Sequence, residues 1–218
     1  VAAEVSVIVP ARDREPFLGE AIASALAQGE AVREVLVCTA RSDSASAREA
    51  GGHDARVRAV RSGGGELHVN LNAGLRTAAC EWLAFLDADD VWAPGRITAG
   101  LDAFARIPGL EVCFGRQLAI AQDGGHGAYP ADGRLLGTTL MRRVTADAVG
   151  PFAPPSVTSA MQWLLRAGSL GLRSAMLTDV LLHRRVHTDN MTRRDQGELH
   201  AAYLRLARES LDRHRRGQ

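Results

Sequence analysis

The chain is 218 residues long, enough for one compact domain with at most a modest appendage, and its 46% hydrophobic and 23% charged content excludes wholesale disorder. Its 26 basic and 25 acidic residues nearly cancel to a net charge of +1, so there is no broad field to gather nucleic acid or an anionic membrane. Every basic residue is Arg, which excludes Schiff-base chemistry, a lysine general base and a P-loop lysine.

Val5 to Val9 is an apolar, β-branched run interrupted only by Ser6, the pattern of a buried parallel strand ended by Pro10. Pro16 suits a first helical turn, and Phe17, Leu18, Ala21, Ile22, Ala25 and Leu26 recur at helical spacing up to Gly29. Val35 to Cys38 reads as a second strand, Ser44 to Ala50 as a short helix, and Val57 to Val60 as a third strand before the Gly63 to Gly65 triplet. A helix is expected over Leu67 to Ala79 and a fourth strand over Trp82 to Leu86, running directly into Asp87, Ala88, Asp89 and Asp90. This alternation predicts an α/β fold, a mostly parallel Rossmann-like sheet flanked by helices on both faces.

The second half is less regular. A helix is expected from Pro94 to about Ala105, with Gly100 lowering its propensity, then strands over Glu111 to Phe114 and Gln117 to Ala121 and a turn at Asp123 to Gly125. Further strands are expected over Gly137 to Met141, Arg173 to Leu177 and Val180 to Val186, with short helices over Thr145 to Val149 and Met161 to Ala167. Residues 196–218 carry Leu199, Tyr203, Leu206, Ala207 and Leu211 on one stripe, an amphipathic C-terminal helix.

In such a sheet, ligands bind beyond the carboxyl ends of the strands, so Pro10 to Asp13, Thr39 to Asp43 and Asp87 to Asp90 are expected to meet at one crevice. Adjacent carboxylates after the buried-type run Trp82 to Leu86 repel one another and lose hydration, which a hard divalent cation, Mg or Mn, would relieve. The alternative is that Asp89 or Asp90 caps the helix beginning near Pro94.

Three blocks, residues 5–28, 71–97 and 184–194, resemble family 2 glycosyltransferases of GT-A fold; the middle one, with Asn72-Ala73-Gly74-Leu75, an apolar strand, Asp87-Ala88-Asp89-Asp90 and Trp92, is the most specific. The resemblance implies one domain over 1–195, with 1–90 a nucleotide-binding half and 91–195 an acceptor half. It implies a nucleoside diphosphate sugar as partner, Pro10, Arg12, Asp13, Asn72 and Asp87 at the donor, and Asp87, Asp89 and His187 at the metal. For His187 a solvated or core-satisfied role is the alternative.

Departures from the family pattern bear on activity. The stretch whose first acid reads the base in relatives is Thr39, Ala40, Arg41 and Ser42 here, leaving Asp43 or Asp13 as substitutes, and the Arg often found before Asn-Ala-Gly is Leu71. The position of the family's catalytic Asp reads Ser159, Ala160, Met161 and Gln162, and no Asp or Glu occurs from Ala148 through Thr178. Activity then requires an acceptor that needs no strong base, or another acid such as Asp132, Asp179 or Asp189 brought in by the fold; otherwise the chain is an inactive relative binding a nucleotide or partner, or the scaffold carries another reaction. Gly150 to Val157, rich in Pro and containing Phe152, is a candidate mobile lid or contact surface, with a rigid surface loop as the alternative.

Cys38, Cys80 and Cys113 lie in apolar segments without metal or disulfide spacing. With no apolar run of the ~20 residues a span requires and no leader pattern, a cytoplasmic protein without a membrane span is expected.

Overall fold

A computed structural model describes residues 3–41, 43–52, 54–121 and 129–187. The elements in chain order are β1 (Val5–Pro10), α1 (Leu18–Leu26), β2 (Val32–Thr39), α2 (Ala45–Ala50), β3 (Val57–Arg61), α3 (Leu67–Thr77), β4 (Trp82–Phe85), β5 (Val91–Trp92), α4 (Arg96–Arg106), β6 (Val112–Ala121), β7 (Leu140–Arg142), α5 (Arg143–Val149), α6 (Ser156–Ser169) and β8 (Ser174–Val186). One sheet runs β3-β2-β1-β4-β7-β6-β8-β5. The first four strands are mutually parallel; β7 is antiparallel to β4 and β6, β6 and β8 are parallel, and β5 returns antiparallel on β8. The architecture is therefore α/β and mostly parallel, with the departures confined to the second half.

The alternation along β1 separates two cores. Val5, Val7 and Val9 face the layer of α1 and α4, whereas Ile8 faces that of α3, α5 and α6 with Phe85, Phe152 and Trp163. Helix α3 lies close on the sheet because Gly74 has no side chain: a Cβ there would fall inside contact distance of Ile8 Cγ2 and 3.1 Å from Cys38 Sγ. Gly100, costly to helix propensity, serves α4 in the same way against Leu140.

Four expectations change. The two strands expected over 111–121 are one strand, β6, and the two over 173–186 are one strand, β8; where each run breaks, the pair shifts register, Phe114 facing Met176 but Arg116 facing Val180. The strand expected over Gly137 to Met141 splits into a 3₁₀ turn at Leu136–Thr138 and β7, because the Gly137 carbonyl accepts from Trp92 Nε1 and Arg96 Nη2. Helix α6 is twice the length expected, starting after Pro155. The two-residue β5 carries too little pattern to be read. The turn at 123–125 and the C-terminal helix at 196–218 lie outside the described residues.

Candidate functional site at the strand ends

The parallel strands β1, β2 and β4 end side by side, and their following loops form the floor of the site. After β1, whose last residue Pro10 lies opposite Cys38, the loop is stapled to the start of α2. Ala45 N–H donates to Asp13 Oδ1 (2.8 Å), Ser46 Oγ to the Arg12 carbonyl (2.7 Å), and Glu15 N–H to Ser46 Oγ (3.3 Å). Arg14, at φ 58°, takes the left-handed region, and the next residue, Glu15, turns inward with 6% of its surface exposed. After β2, Arg41 grips Asp43 through two hydrogen bonds of 2.8 and 2.7 Å, while Arg48 donates to the Asp43 carbonyl.

After β4 the chain makes a tight turn, Asp90 N–H donating to the Asp87 carbonyl. The end of β8 is fastened onto this turn. Asp90 Oδ1 accepts from Arg185 N–H (2.8 Å); Arg185 Nε donates to the Asp89 carbonyl (3.1 Å) and Nη2 to Glu20 Oε2 on α1 (2.7 Å). The Arg185 guanidinium also lies 4.2 Å over the Phe17 ring. Two residues on, buried His187 places Nε2 3.1 Å from Asp89 Oδ2 and tilts against Phe17.

These carboxylates raise one another's proton affinity. Burial, then the charges of Asp87 and Asp89, push Asp90 well above the usual carboxylate range despite its bond from Arg185 N–H. Crowding by protein and the charge of Asp89 push Asp87 up to about 6, with Arg184 opposing. Asp87 is exposed on this turn, whereas Asp90 is buried beneath it. Glu15 is raised by burial and by Asp89, against the lowering effects of Arg12 and His187.

On the other side of the sheet, Asn72 holds the backbone of Phe152 at both ends, its Nδ2 donating to the carbonyl (2.9 Å) and its Oδ1 accepting from the N–H (2.8 Å). The Phe152 ring stacks on Trp163 with centroids 4.9 Å apart and meets Phe85 edge-on. Trp163 Nε1 donates to the Gly150 carbonyl, and Arg166 to those of Val149 and Pro151. Val149 to Phe152, at the start of the candidate lid or contact surface, is thus fastened to α3 and α6. In α6, Thr158 and Ser159 are buried, Gln162 Nε2 donates to Thr158 Oγ1 (2.9 Å), and Ala160 is half-buried.

The family profile for glycosyl transferase family 2 matches residues 6–153, more than half of the chain. The chain belongs to this family. A relative is the uncharacterized glycosyltransferase EpsJ of Bacillus subtilis (strain 168), 33% identical over an 89-residue alignment that covers 39% of this chain and 26% of EpsJ. Among solved structures, S. aureus TarS 1–349 in complex with UDP-GlcNAc superposes with a TM-score of 0.67 at 19% identity, over 87% of this chain and 60% of TarS 1–349. The complex of the same protein with UDP gives 0.62 at 19% identity, over 85% and 61% of the two chains. The chain thus spans about a quarter of EpsJ and three-fifths of TarS 1–349, and the TarS likeness supports the GT-A fold.

Of the residues singled out in this family 2 domain, the structure brings Asp89 and His187 together at the strand ends, with Asp87 on the same turn and Arg12 and Asp13 on the neighbouring loop. Asn72 faces the Phe152 backbone, and Leu71 is buried in the core. Asp132 pairs with Arg116 (2.7 Å), Asp179 is exposed at the β8 irregularity, and Asp189 lies outside the described residues. Among the described residues no three His, Cys, Asp or Glu side chains close into a ready-made metal cage. Mg and Mn need no such cage, since one or two protein ligands suffice when substrate phosphates and waters complete the shell, and the hard carboxylate of Asp89 beside the imidazole of His187 fits that demand. Sequence reasoning missed Glu15, Glu20 and Arg185. Arg185 carried no local signal, since it stands in the polar run His183-Arg184-Arg185 at the end of β8; Glu15 carried one only as an acid just before a helix-starting proline.

Proposed function

We propose that this domain transfers a sugar from a nucleoside diphosphate donor held across the ends of β1, β2 and β4, with Asp89 and His187 holding Mg or Mn beside Asp87. The observation that supports this reading is the 3.1 Å contact between Asp89 and His187, which unites residues 98 apart in sequence at the strand ends of a family 2 domain. In this reading the 1–90 half binds the donor and the 91–195 half shapes the acceptor side. Arg12, 46% exposed on the first loop, offers a guanidinium to the diphosphate. A bound divalent cation supplies charge neutralisation to the departing diphosphate. Uridine diphosphate sugars are the first donors to test, because TarS was crystallised with UDP-GlcNAc; Asp43, gripped by Arg41, reaches a base only by exchanging that partner.

Titration calorimetry of uridine and guanosine diphosphates with and without Mn²⁺ tests the reading. Cation-dependent binding of at least one of them is expected, and Asp89→Asn should remove the cation dependence. Absence of such binding by any nucleoside diphosphate overturns it.

A second reading, a donor-binding module without turnover, is favoured by one observation: residues 148–178 contain no carboxylate, and the position of the family's base holds buried Ser159 beside buried Thr158. General-base catalysis commonly contributes ~10²- to 10⁴-fold, so transfer to an ordinary alcohol would be slow by that factor. Mass spectrometry of donor and acceptor after incubation separates the two readings, since glycosylated acceptor ends the second one.

A further inference from the structure

His187 has less backbone support than the acid it faces. Among the described residues the β6–β8 pairing ends with Val186 opposite Ala121, so His187 stands one residue past the ladder that fixes the rest of β8. Its imidazole turns about χ1 and χ2, and a cation takes the nitrogen lone pair only near the ring plane, so a ring left free to turn loses affinity for the ion. The buried His187 ring packs against Phe17, with the centroids 5.3 Å apart and the planes inclined at 50°.

Phe17 is itself held from two directions. Its carbonyl accepts from Ala21 N–H (3.1 Å) in the opening turn of α1, and the loop before it is stapled to α2 through Ser46. Arg185, with 5% of its side chain exposed, lays its guanidinium 4.2 Å over the Phe17 ring while Nη2 donates to Glu20 Oε2 (2.7 Å). Phe17 and Glu20 stand at i and i+3 where α1 begins, on one face, so a single arginine grips both. The same guanidinium donates through Nε to the Asp89 carbonyl (3.1 Å), which ties the Phe17 ring into one frame with the turn that carries Asp89. We propose that Phe17 is a positioning residue of the cation site: its ring, clamped by Arg185, fixes the orientation of the His187 imidazole so that Nε2 and the Asp89 carboxylate face one ion. The proposal rests on the reading of Asp89 and His187 as cation ligands.

The test uses the full chain. The electron paramagnetic resonance of free Mn²⁺ gives affinity, electron spin-echo envelope modulation of the bound ion reports a ligated imidazole nitrogen, and Tm is measured without metal. The wild type should show the nitrogen modulation, and His187→Gln should abolish it. Phe17→Leu, which keeps apolar bulk but removes the flat face, should weaken Mn²⁺ binding about 10-fold and diminish the nitrogen modulation per bound ion. Phe17→Met takes its place should that variant fail to fold. Phe17→Tyr keeps the face and should stay within about threefold of the wild type with the modulation intact; a loss equal to that of Phe17→Leu overturns the proposal. A Phe17 that only packs the helix start would lower Tm in Phe17→Leu and leave affinity and modulation at their wild-type values, which also overturns it. Weaker binding with undiminished modulation does so too, because the imidazole is then still in place. Wild-type binding without nitrogen modulation, or modulation that survives His187→Gln, removes His187 as a ligand and this proposal with it, leaving Asp89. If the wild type binds no Mn²⁺, the cation site itself falls.

Discussion

Replacing Asn72 by Ala distinguishes a strut from a ligand-binding residue. Both polar atoms of the side chain are engaged with the Phe152 backbone, at 2.9 and 2.8 Å, across a sequence separation of 80 residues. Each bond is worth about 0.5–1.5 kcal/mol net, and leaving its backbone partner without a mate in this part-buried place raises the loss toward about 1–3 kcal/mol. Together with a small cavity, Asn72→Ala should cost about 2–4 kcal/mol. A chain of this size shifts Tm by roughly 2–4 °C per kcal/mol, so a drop of about 4–16 °C is expected by differential scanning calorimetry. Asn72→Asp should be worse at neutral pH than in mild acid, because it keeps an acceptor for the Phe152 N–H but sets an anionic oxygen against the Phe152 carbonyl. Nucleoside diphosphate affinity, measured well below Tm, should stay within about threefold of the wild type, roughly 0.6 kcal/mol. An unchanged Tm with a tenfold loss of nucleotide affinity would refute the strut assignment and return Asn72 to the donor site.

Glu34 gives a pH dependence of known sign. Burial raises its pKa, but hydrogen bonds from Ser6 Oγ, Arg58 and Ala79 N–H outweigh burial and lower it below the ordinary 4.5. Its stabilising effect is therefore fully present above about pH 4.5 and is lost as pH falls through the lowered folded value; Glu34→Gln should flatten that limb of the urea-denaturation profile. Gly74→Ala should destabilise by about 1–3 kcal/mol in the same denaturation assay, since its Cβ would collide with Ile8 and press α3 off β1.

The first half of the fold was legible because β1, β2 and β4 are covered on both faces, so their apolar runs are nearly continuous and their ends are marked. Val5 to Val9 and Trp82 to Leu86 fall nearly on β1 and β4, and Ser44 caps α2 from the position its residue type suggests, its Oγ accepting from Ala47 N–H. In the second half, local signals stand for something else. The breaks at Gly115–Arg116 and Thr178–Asp179, which read as strand ends, oppose each other in space and form one irregularity within a continuous β6–β8 pair. The gathering of acids on the turn after β4 was legible in Asp87 to Asp90, whereas contacts that span the fold were hidden. Nothing local in Asn72 announces Phe152, and nothing in Glu20 announces Arg185.

Arg185 fastens the acidic turn after β4 to its neighbours. Its N–H satisfies Asp90, its Nε meets the Asp89 carbonyl, its Nη2 meets Glu20, and its guanidinium face covers Phe17. At Asp89 this fastening uses the main-chain oxygen, while Oδ2 faces His187 on the same stretch of β8. The anchor to Arg185 and the contact with His187 thus fall on different atoms of one residue, so the turn after β4 is fastened through its main chain and not through the Asp89 carboxylate. An arginine fork can do this because its donors are fixed in a plane and point several ways at once, whereas a lysine ammonium at the end of a flexible stem would supply charge without the geometry. The chain's exclusive use of arginine has a structural counterpart here, where one side chain ties α1, the β4 turn and β8 into a single frame around the site.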